Sequence, residues 1–274
     1  MSKVAAIQMA SGPQVNANLA EAKRLIKDAA EQGAELVVLP ENFAIIGQSE
    51  ADKVDERENE GDGPIQDFLA AQAKQQGVWI VGGTIPLASE DDGKVTATCL
   101  LYNDKGEQVS RYDKIHLFDV QLPGSDEQYV ESETISPGDS IVVVDTPFGK
   151  LGLAVCYDLR FPELFREMLN QGVEIITLPS AFTALTGKAH WETLLRARAI
   201  ENLCFFVAAG HGGFHFSGRE THGHSMIIDP WGVILEEKTR GNGVAVSDID
   251  LMRLKGIRER FPVLDHRRLQ CGLT

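Results

Sequence analysis

No stretch of the 274-residue chain stays apolar long enough to cross a bilayer, which takes about 20 residues. The most hydrophobic segments, LVVLP, VWIVGG, LGLAVC and CFFVAAG, are only strand-length. The opening MSKVAAIQMASG carries one lysine and an apolar stretch interrupted by Gln8, short of a secretory leader. A soluble, cytoplasmic protein with no membrane partner is expected. Cysteine is scarce: Cys99, Cys156, Cys204 and Cys271 lie far apart with no CxxC pair, which argues against a disulfide framework and a zinc ribbon. Basic residues are the minority, 26 against 40 acidic, and the resulting charge of −14 repels nucleic acid. GHGGFH, GDGPIQ and GNGVAV do not complete GxGxxG, and no Walker A sequence occurs, so no nucleotide cofactor is expected. With no low-complexity tract or long linker, residues 1–274 read as one domain ending in a tail from about 252 to 274.

Apolar residues make up 43% of the chain, enough for a substantial core. They fall into alternating strand and helix patterns. A strand over Val4 to Met9 precedes a helix from about Asn18 to Gln32, started by Asn18 with Glu21 three residues on, and then a strand over Leu36 to Leu39. A second βαβ unit runs through LGLAVC (151–156), a helix to Asn170 with Pro162 in its first turn, and EIITL (174–178). Further strands are predicted over Val78 to Ile85, Ala97 to Tyr102, Ile141 to Val144, Leu203 to Ala209, Gly223 to Asp229 and Val244 to Ile249. QGAELVVLPENF (32–43) and QGVEIITLPSAF (171–182) match at a constant offset of 139 residues, the mark of an internal duplication. Two such mixed sheets, with helices on their outer faces, would pack face to face as an αββα four-layer sandwich. Polar, aperiodic Gln48 to Gly63 reads as a loop or lid edge.

Ligands of open α/β sheets collect beyond strand ends, and three short sequences fall there: Pro40-Glu41-Asn42, Cys156-Tyr157-Asp158 and Pro179-Ser180-Ala181. Cys156 closes an apolar run just before a turn into a helix, as in a nucleophile elbow, where the helix N-terminus should favour a thiolate. Taken alone, a cysteine so placed is more often a small buried hydrophobe. Glu41, directly after a buried strand and a proline, suits a general base with raised proton affinity unless a cation opposes the shift. A helix cap or surface ion pair is its plainer explanation. Lys114 sits in RYDKIHLFDV among apolar neighbours and, given a carboxylate partner, could stabilise an oxyanion. The plainer alternative is a snorkelling lysine.

These motifs, with AAIQMA, VVLPENF, YDKIHLFDV, GLAVCYDLRFPEL, LPSAF, GHSMIIDPWG and the C-terminal RRL in order, resemble the nitrilase superfamily of carbon–nitrogen hydrolases. The resemblance implies an αββα sandwich and an amidase with a Cys156-Glu41-Lys114 triad working through a thioester, with no cofactor or metal. It also points to Glu131 as a second carboxylate that orients substrate or Lys114, and to the backbone N–H of Tyr157 as an oxyanion donor. Within the superfamily the Nit-type branch is nearest, with the ω-amidase branch sharing the triad. Such enzymes act on small amides carrying a carboxylate, so local cations must overcome the acidic total. Arg160, Lys188 and His190 are candidates, with Phe182 and Thr183 as acyl-site lining. Arg196 or Arg198 could also serve, although Glu192 makes an ordinary helix pair with Arg196 the favoured reading. For Phe182, and for Phe43 at the duplicate position, core packing is at least as good an account.

His211, His215, His222 and His224 invite a metal, but the array lacks an oriented carboxylate, and its glycine-rich setting suits a loop at the mouth of a site. The arginine-rich Met252 to Leu269 either covers a neighbouring subunit, as in the homodimers or larger assemblies of superfamily relatives, or forms a solvated helix and tail. A catalytically idle scaffold is the competing reading from another class, opposed by the filled triad positions.

Overall fold

The computed structural model describes residues 1–91, 93–124 and 127–269, so Cys271 and the last part of the expected tail lie outside the described residues. The chain begins with β1 (Ser2–Gln8), α1 (Val15–Glu31), β2 (Leu36–Val38), α2 (Asp52–Asp55) and α3 (Pro64–Gln76). It continues through β3 (Trp79–Val81), β4 (Ile85–Ala88), β5 (Val95–Tyr102), β6 (Gln108–Asp113), β7 (Asp119–Gln121) and β8 (Gln128–Val130). Next come β9 (Val143–Thr146), β10 (Gly149–Leu153), α4 (Pro162–Asn170), β11 (Ile175–Ser180), α5 (Ala184–Asn202) and β12 (Phe205–Gly210). The last elements are β13 (Gly212–Phe214), β14 (Glu220–His222), β15 (Ser225–Ile228), β16 (Ile234–Lys238), β17 (Gly243–Ile249) and α6 (Leu251–Arg260).

One sheet has the order β17-β1-β2-β3-β5-β4, with β6 added to β5; the other runs β16-β15-β12-β11-β10-β9. Each has a parallel centre, β1-β2-β3 in the first and β10-β11-β12 in the second, flanked by antiparallel strands. The sheets face each other through β1 and β2 against β11 and β12, with α1 and α3 outside one and α4 and α5 outside the other. The four-layer mixed-sheet sandwich is therefore the observed architecture. One apolar cluster, drawing on residues from Val4 to Leu254, fills the space between the sheets and beneath α4 and α5. A second lies beneath α1 and α3. Central strands such as β11 and β12 are buried along their whole length, which is why they read as continuous apolar runs rather than alternating ones.

Several boundaries differ from the sequence expectation. α1 starts at Val15, not Asn18, because the Asn18 side chain is turned inward and donates to the Gly12 and Ala44 carbonyls, each at 2.8 Å. The strand expected over 78–85 is split by Gly82 and Gly83. Gly83 has φ +57°, and a Cβ there would lie 2.1 Å from the Pro40 carbonyl oxygen, so only glycine lets this turn back the Glu41 segment. The strand expected to reach Cys156 ends at Leu153. The region expected as loop or lid edge contains the short α2.

Candidate active site

The duplicated strand ends meet in space. The backbone N–H of Ala181, past β11, donates to Glu41 Oε2 at 2.9 Å, so the two copies of the repeat assemble one site across the sandwich. Glu41 is only 3% exposed. Its backbone carbonyl lies 2.7 Å from His211 Nε2, past the end of β12, and the Asn42 N–H donates to Thr84 Oγ1 at 2.8 Å. Lys114 follows β6 directly and is fully buried. Its ammonium donates to Glu41 Oε1 at 2.8 Å and to Glu131 Oε1 and Oε2 at 2.9 and 2.7 Å. Glu131 Oε2 also accepts the Phe118 N–H at 2.7 Å. The three donors of the ammonium are thus all committed to carboxylate oxygens.

Cys156 stands at the turn with φ +47°, a left-handed conformation rare for a side chain of this kind and one that lifts it off the sheet. A single 3₁₀ turn over Cys156–Arg160 then leads into α4, whose Pro162 occupies the first turn. Asp158, wholly buried, clips this turn in place. It accepts the Val155 N–H at 2.8 Å and the Tyr112 hydroxyl at 2.7 Å, and its Oδ1 lies 2.7 Å from His116 Nδ1. The strands bearing the lysine and the cysteine are thereby tied together. From α5, Arg198 donates to the Leu159 carbonyl at 3.1 Å and braces the same turn.

Cys156 and Glu41 line the same cavity, and each acts on the other's ionisation. Burial and the neighbouring Glu41 charge push the thiol's pKa up, against the pull of Lys114 and the Ala181 N–H. The thiolate expected from the helix N-terminus is therefore not the resting form: desolvation and a like charge outweigh the dipole. Burial would also raise the pKa of Glu41, but the Lys114 charge and hydrogen bond lead the opposing influences and hold it below its ordinary value. Burial disfavours the Lys114 charge, yet Glu131 and Glu41 hold that lysine's pKa well above the usual. At neutral pH the site holds a thiol, a carboxylate base and an ammonium.

These groups open onto a cavity of about 710 Å³. Tyr157, Arg160, Phe182 and Thr183 line it. Lys188 and His190 do not: Lys188 lies on the exposed face of α5, and His190 reaches the site only through Arg160, its Nδ1 being 3.1 Å from Arg160 Nη1. Arg196 forms the ordinary helix pair with Glu192 at 3.1 Å. Phe43 is core, packed beside Phe68, whereas Phe182 both lines the cavity and packs on Trp191. The lid-edge segment contributes Gln48 to Glu50 and Lys53, and Lys53 is ion-paired with Glu50 at 2.6 Å. Sequence reasoning missed Arg219, which lines the cavity from the β13–β14 hairpin; its signal lay in GRETHGH, where the histidines drew the attention. Those histidines have other work: His215 Nδ1 and Nε2 lie 2.8 Å from the Ser11 carbonyl and from Thr221 Oγ1, and His224 Nδ1 is 2.6 Å from Glu237. Among the described residues, no three potential metal ligands cluster.

This arrangement on a four-layer sandwich is matched by known proteins. The carbon–nitrogen hydrolase family profile matches residues 3–259, and the chain belongs to that family. It is an amidase by that membership and by its relatives. The deaminated glutathione amidase of Yersinia enterocolitica is 43% identical over 274 residues, which cover 100% of this chain and 95% of that one. Among solved structures, the C. elegans NitFhit protein superposes with a TM-score of 0.88 at 37% identity, covering 97% of this chain and 65% of that chain. This chain thus spans a little under two thirds of NitFhit. Saccharomyces cerevisiae Nit3, a member of branch 10 of the nitrilase superfamily, superposes with a TM-score of 0.87 at 32% identity, covering 98% of this chain and 97% of Nit3. No described helix is long and apolar enough to cross a membrane.

Proposed function

We propose that Cys156, Glu41 and Lys114, with Glu131 holding Lys114, hydrolyse the amide of deaminated glutathione to oxoglutarate and Cys-Gly. One observation carries the mechanism: Cys156 opens onto the same cavity as a Glu41 that stays ionised because Lys114 is bound to it. Glu41 takes the thiol proton as sulfur attacks the amide carbon, and the carbonyl electrons move onto oxygen. Lys114 meets that oxyanion by releasing one of its two bonds to Glu131 while keeping Glu41, and the Tyr157 N–H is the second donor. Each such donor contributes about 10²–10³ in kcat in comparable sites. Glu41 then protonates the departing nitrogen as the C–N bond breaks, leaving a thioester. Water attacks the thioester with Glu41 as base, the acid is released, and the proton returns to the leaving sulfur.

The relative's name and the size of the cavity support this substrate over a smaller oxoacid amide. Comparing turnover of deaminated glutathione with that of α-ketoglutaramate, with Cys156→Ala as control, tests the reading. Preference for the tripeptide analogue is expected. Preference for α-ketoglutaramate would make the protein an ω-amidase, and no turnover that Cys156→Ala abolishes would leave an idle scaffold. We further propose a cytoplasmic homodimer or larger homo-oligomer. Cys99, Cys156 and Cys204 are all free thiols, and exposed Trp231, packed edge-on against Phe261, gives an apolar face for self-association beside α6. Light scattering at micromolar concentration tests the assembly.

A further inference from the structure

Arg219 is an arginine whose charge is felt by Glu41 and Glu50 but is not taken up in an ion pair. Its Nη2 donates to the Ala181 carbonyl, its guanidinium lies 5.1 Å from the centre of the Tyr129 ring, and its Nε is a buried donor with no partner. Among the described residues it forms no ion pair with a carboxylate, whereas Lys53, the nearby lysine in the same cavity wall, is neutralised by Glu50. Guanidinium groups left in this condition beside a cavity suit a planar anion, because five donors in a fixed fork match the two oxygens of a carboxylate.

The backbone around it is built to hold it still. The His215 N–H donates to the Arg219 carbonyl at 2.9 Å, and His215 itself is buried with both ring nitrogens engaged. The hairpin is stitched to the site by the His222 N–H, which donates to the Phe182 carbonyl at 2.9 Å. Because Ala181 also donates to Glu41, a single residue links the guanidinium to the general base. A chain of net charge −14 has placed there a cation that forms no ion pair with a carboxylate among the described residues.

We propose that Arg219 reads a carboxylate of the substrate and so sets the preference for acidic amides; this rests on the amidase reading above. Deaminated glutathione has two carboxylates, one on the oxoacid half and one on the departing Cys-Gly, and both offer the same chemistry to a guanidinium. The test compares wild type, Arg219→Gln and Arg219→Lys on three amides: deaminated glutathione, its C-terminal carboxamide, and a counterpart in which a methyl ketone replaces the oxoacid. Arg219→Gln should raise KM for deaminated glutathione about 10- to 100-fold, with kcat changed far less, and Arg219→Lys should recover part of the loss. The analogue already lacking the carboxylate that Arg219 reads should be insensitive to the substitution, which identifies the half involved. Equal loss on all three amides would overturn the proposal, since Arg219 would then act only through Ala181 and Glu41. No change on any of them would overturn it as well.

A second readout is independent of which amide is the substrate. Iodoacetate and iodoacetamide both alkylate Cys156 but differ in charge, and the ratio of their rates should fall in Arg219→Gln. An unchanged ratio overturns the assignment even if wild type hydrolyses none of the three amides, an outcome that would by itself refute only the proposed substrate.

Discussion

Replacing Glu131 by glutamine keeps the shape of the side chain and removes one negative charge from a buried group of two carboxylates and one ammonium. The amide can keep its oxygen where Oε2 accepts both the Lys114 ammonium at 2.7 Å and the Phe118 N–H at 2.7 Å. Its NH₂ must then face the same ammonium where Oε1 now accepts at 2.9 Å, so one charge-assisted bond is lost and two donors are opposed. A bond of that kind is worth about 1.5–3 kcal/mol. If Lys114 needs that grip to be aimed at the oxyanion, kcat should fall by about one to two powers of ten, with kcat/KM falling in parallel. The pH profile should move in a defined direction. Losing a negative neighbour removes like-charge repulsion from Glu41 and lowers its pKa, so the acid limb shifts to lower pH. Steady-state kinetics from pH 4 to about 10, with urea unfolding alongside, measure both effects. A kcat within twofold of wild type, or an acid limb that moves upward, refutes the reasoning.

Asp158→Asn leaves one oxygen to replace two that hold the Val155 N–H, the Tyr112 hydroxyl and His116. Urea unfolding should show a loss of about 2–3 kcal/mol, and kcat should drop as the cysteine turn loosens. Burial keeps His211 neutral, its pKa lowered from 6.5 to about 3. The unfolded chain binds a proton there below pH 6.5 while the folded chain refuses it, so the stability is present above 6.5 and is lost as pH falls toward 3. His211→Gln abolishes that slope, and the wild type's advantage in unfolding free energy should shrink by about 2 kcal/mol between pH 6.5 and 5, whereas parallel curves contradict it. Gly83→Ala must carry a Cβ at φ +57° against the Pro40 carbonyl. It should cost about 1–3 kcal/mol from the backbone conformation alone and depress kcat more than a comparable change far from Glu41; an unaltered melting temperature would contradict this.

Much of this architecture was readable because the parallel centres of both sheets announce themselves as apolar runs ending in proline-marked turns. The repeat at an offset of 139 residues pointed to two related halves, and the contact of Ala181 with Glu41 shows that their strand ends meet. Glu41, Lys114 and Cys156 each stood out within its own segment, yet each had a plainer explanation alone, and only the resemblance joined the three. What stayed hidden depends on partners distant in the chain. Asp158 looks like one more acidic residue at a helix start until Tyr112 and His116 arrive from another sheet. The helix face of Lys188 turns outward although its spacing looks as favourable as that of Thr183, and Arg219 acquires meaning only when a hairpin folds it over the cavity. The ionisation of the cysteine was misjudged for the same reason: the local helix dipole is visible in the sequence, while the desolvation and the facing carboxylate are not.

The protonated state of the resting sulfur bears on chemical durability. Peroxide attacks cysteine in its anionic form, and susceptibility follows how much of that form is present and how accessible it is. Cys156 is 8% exposed and keeps its proton until an acyl carbon is there to be attacked, so the nucleophile is withheld from oxidants between turnovers. Sulfenic acid formation should therefore be slow in the empty site.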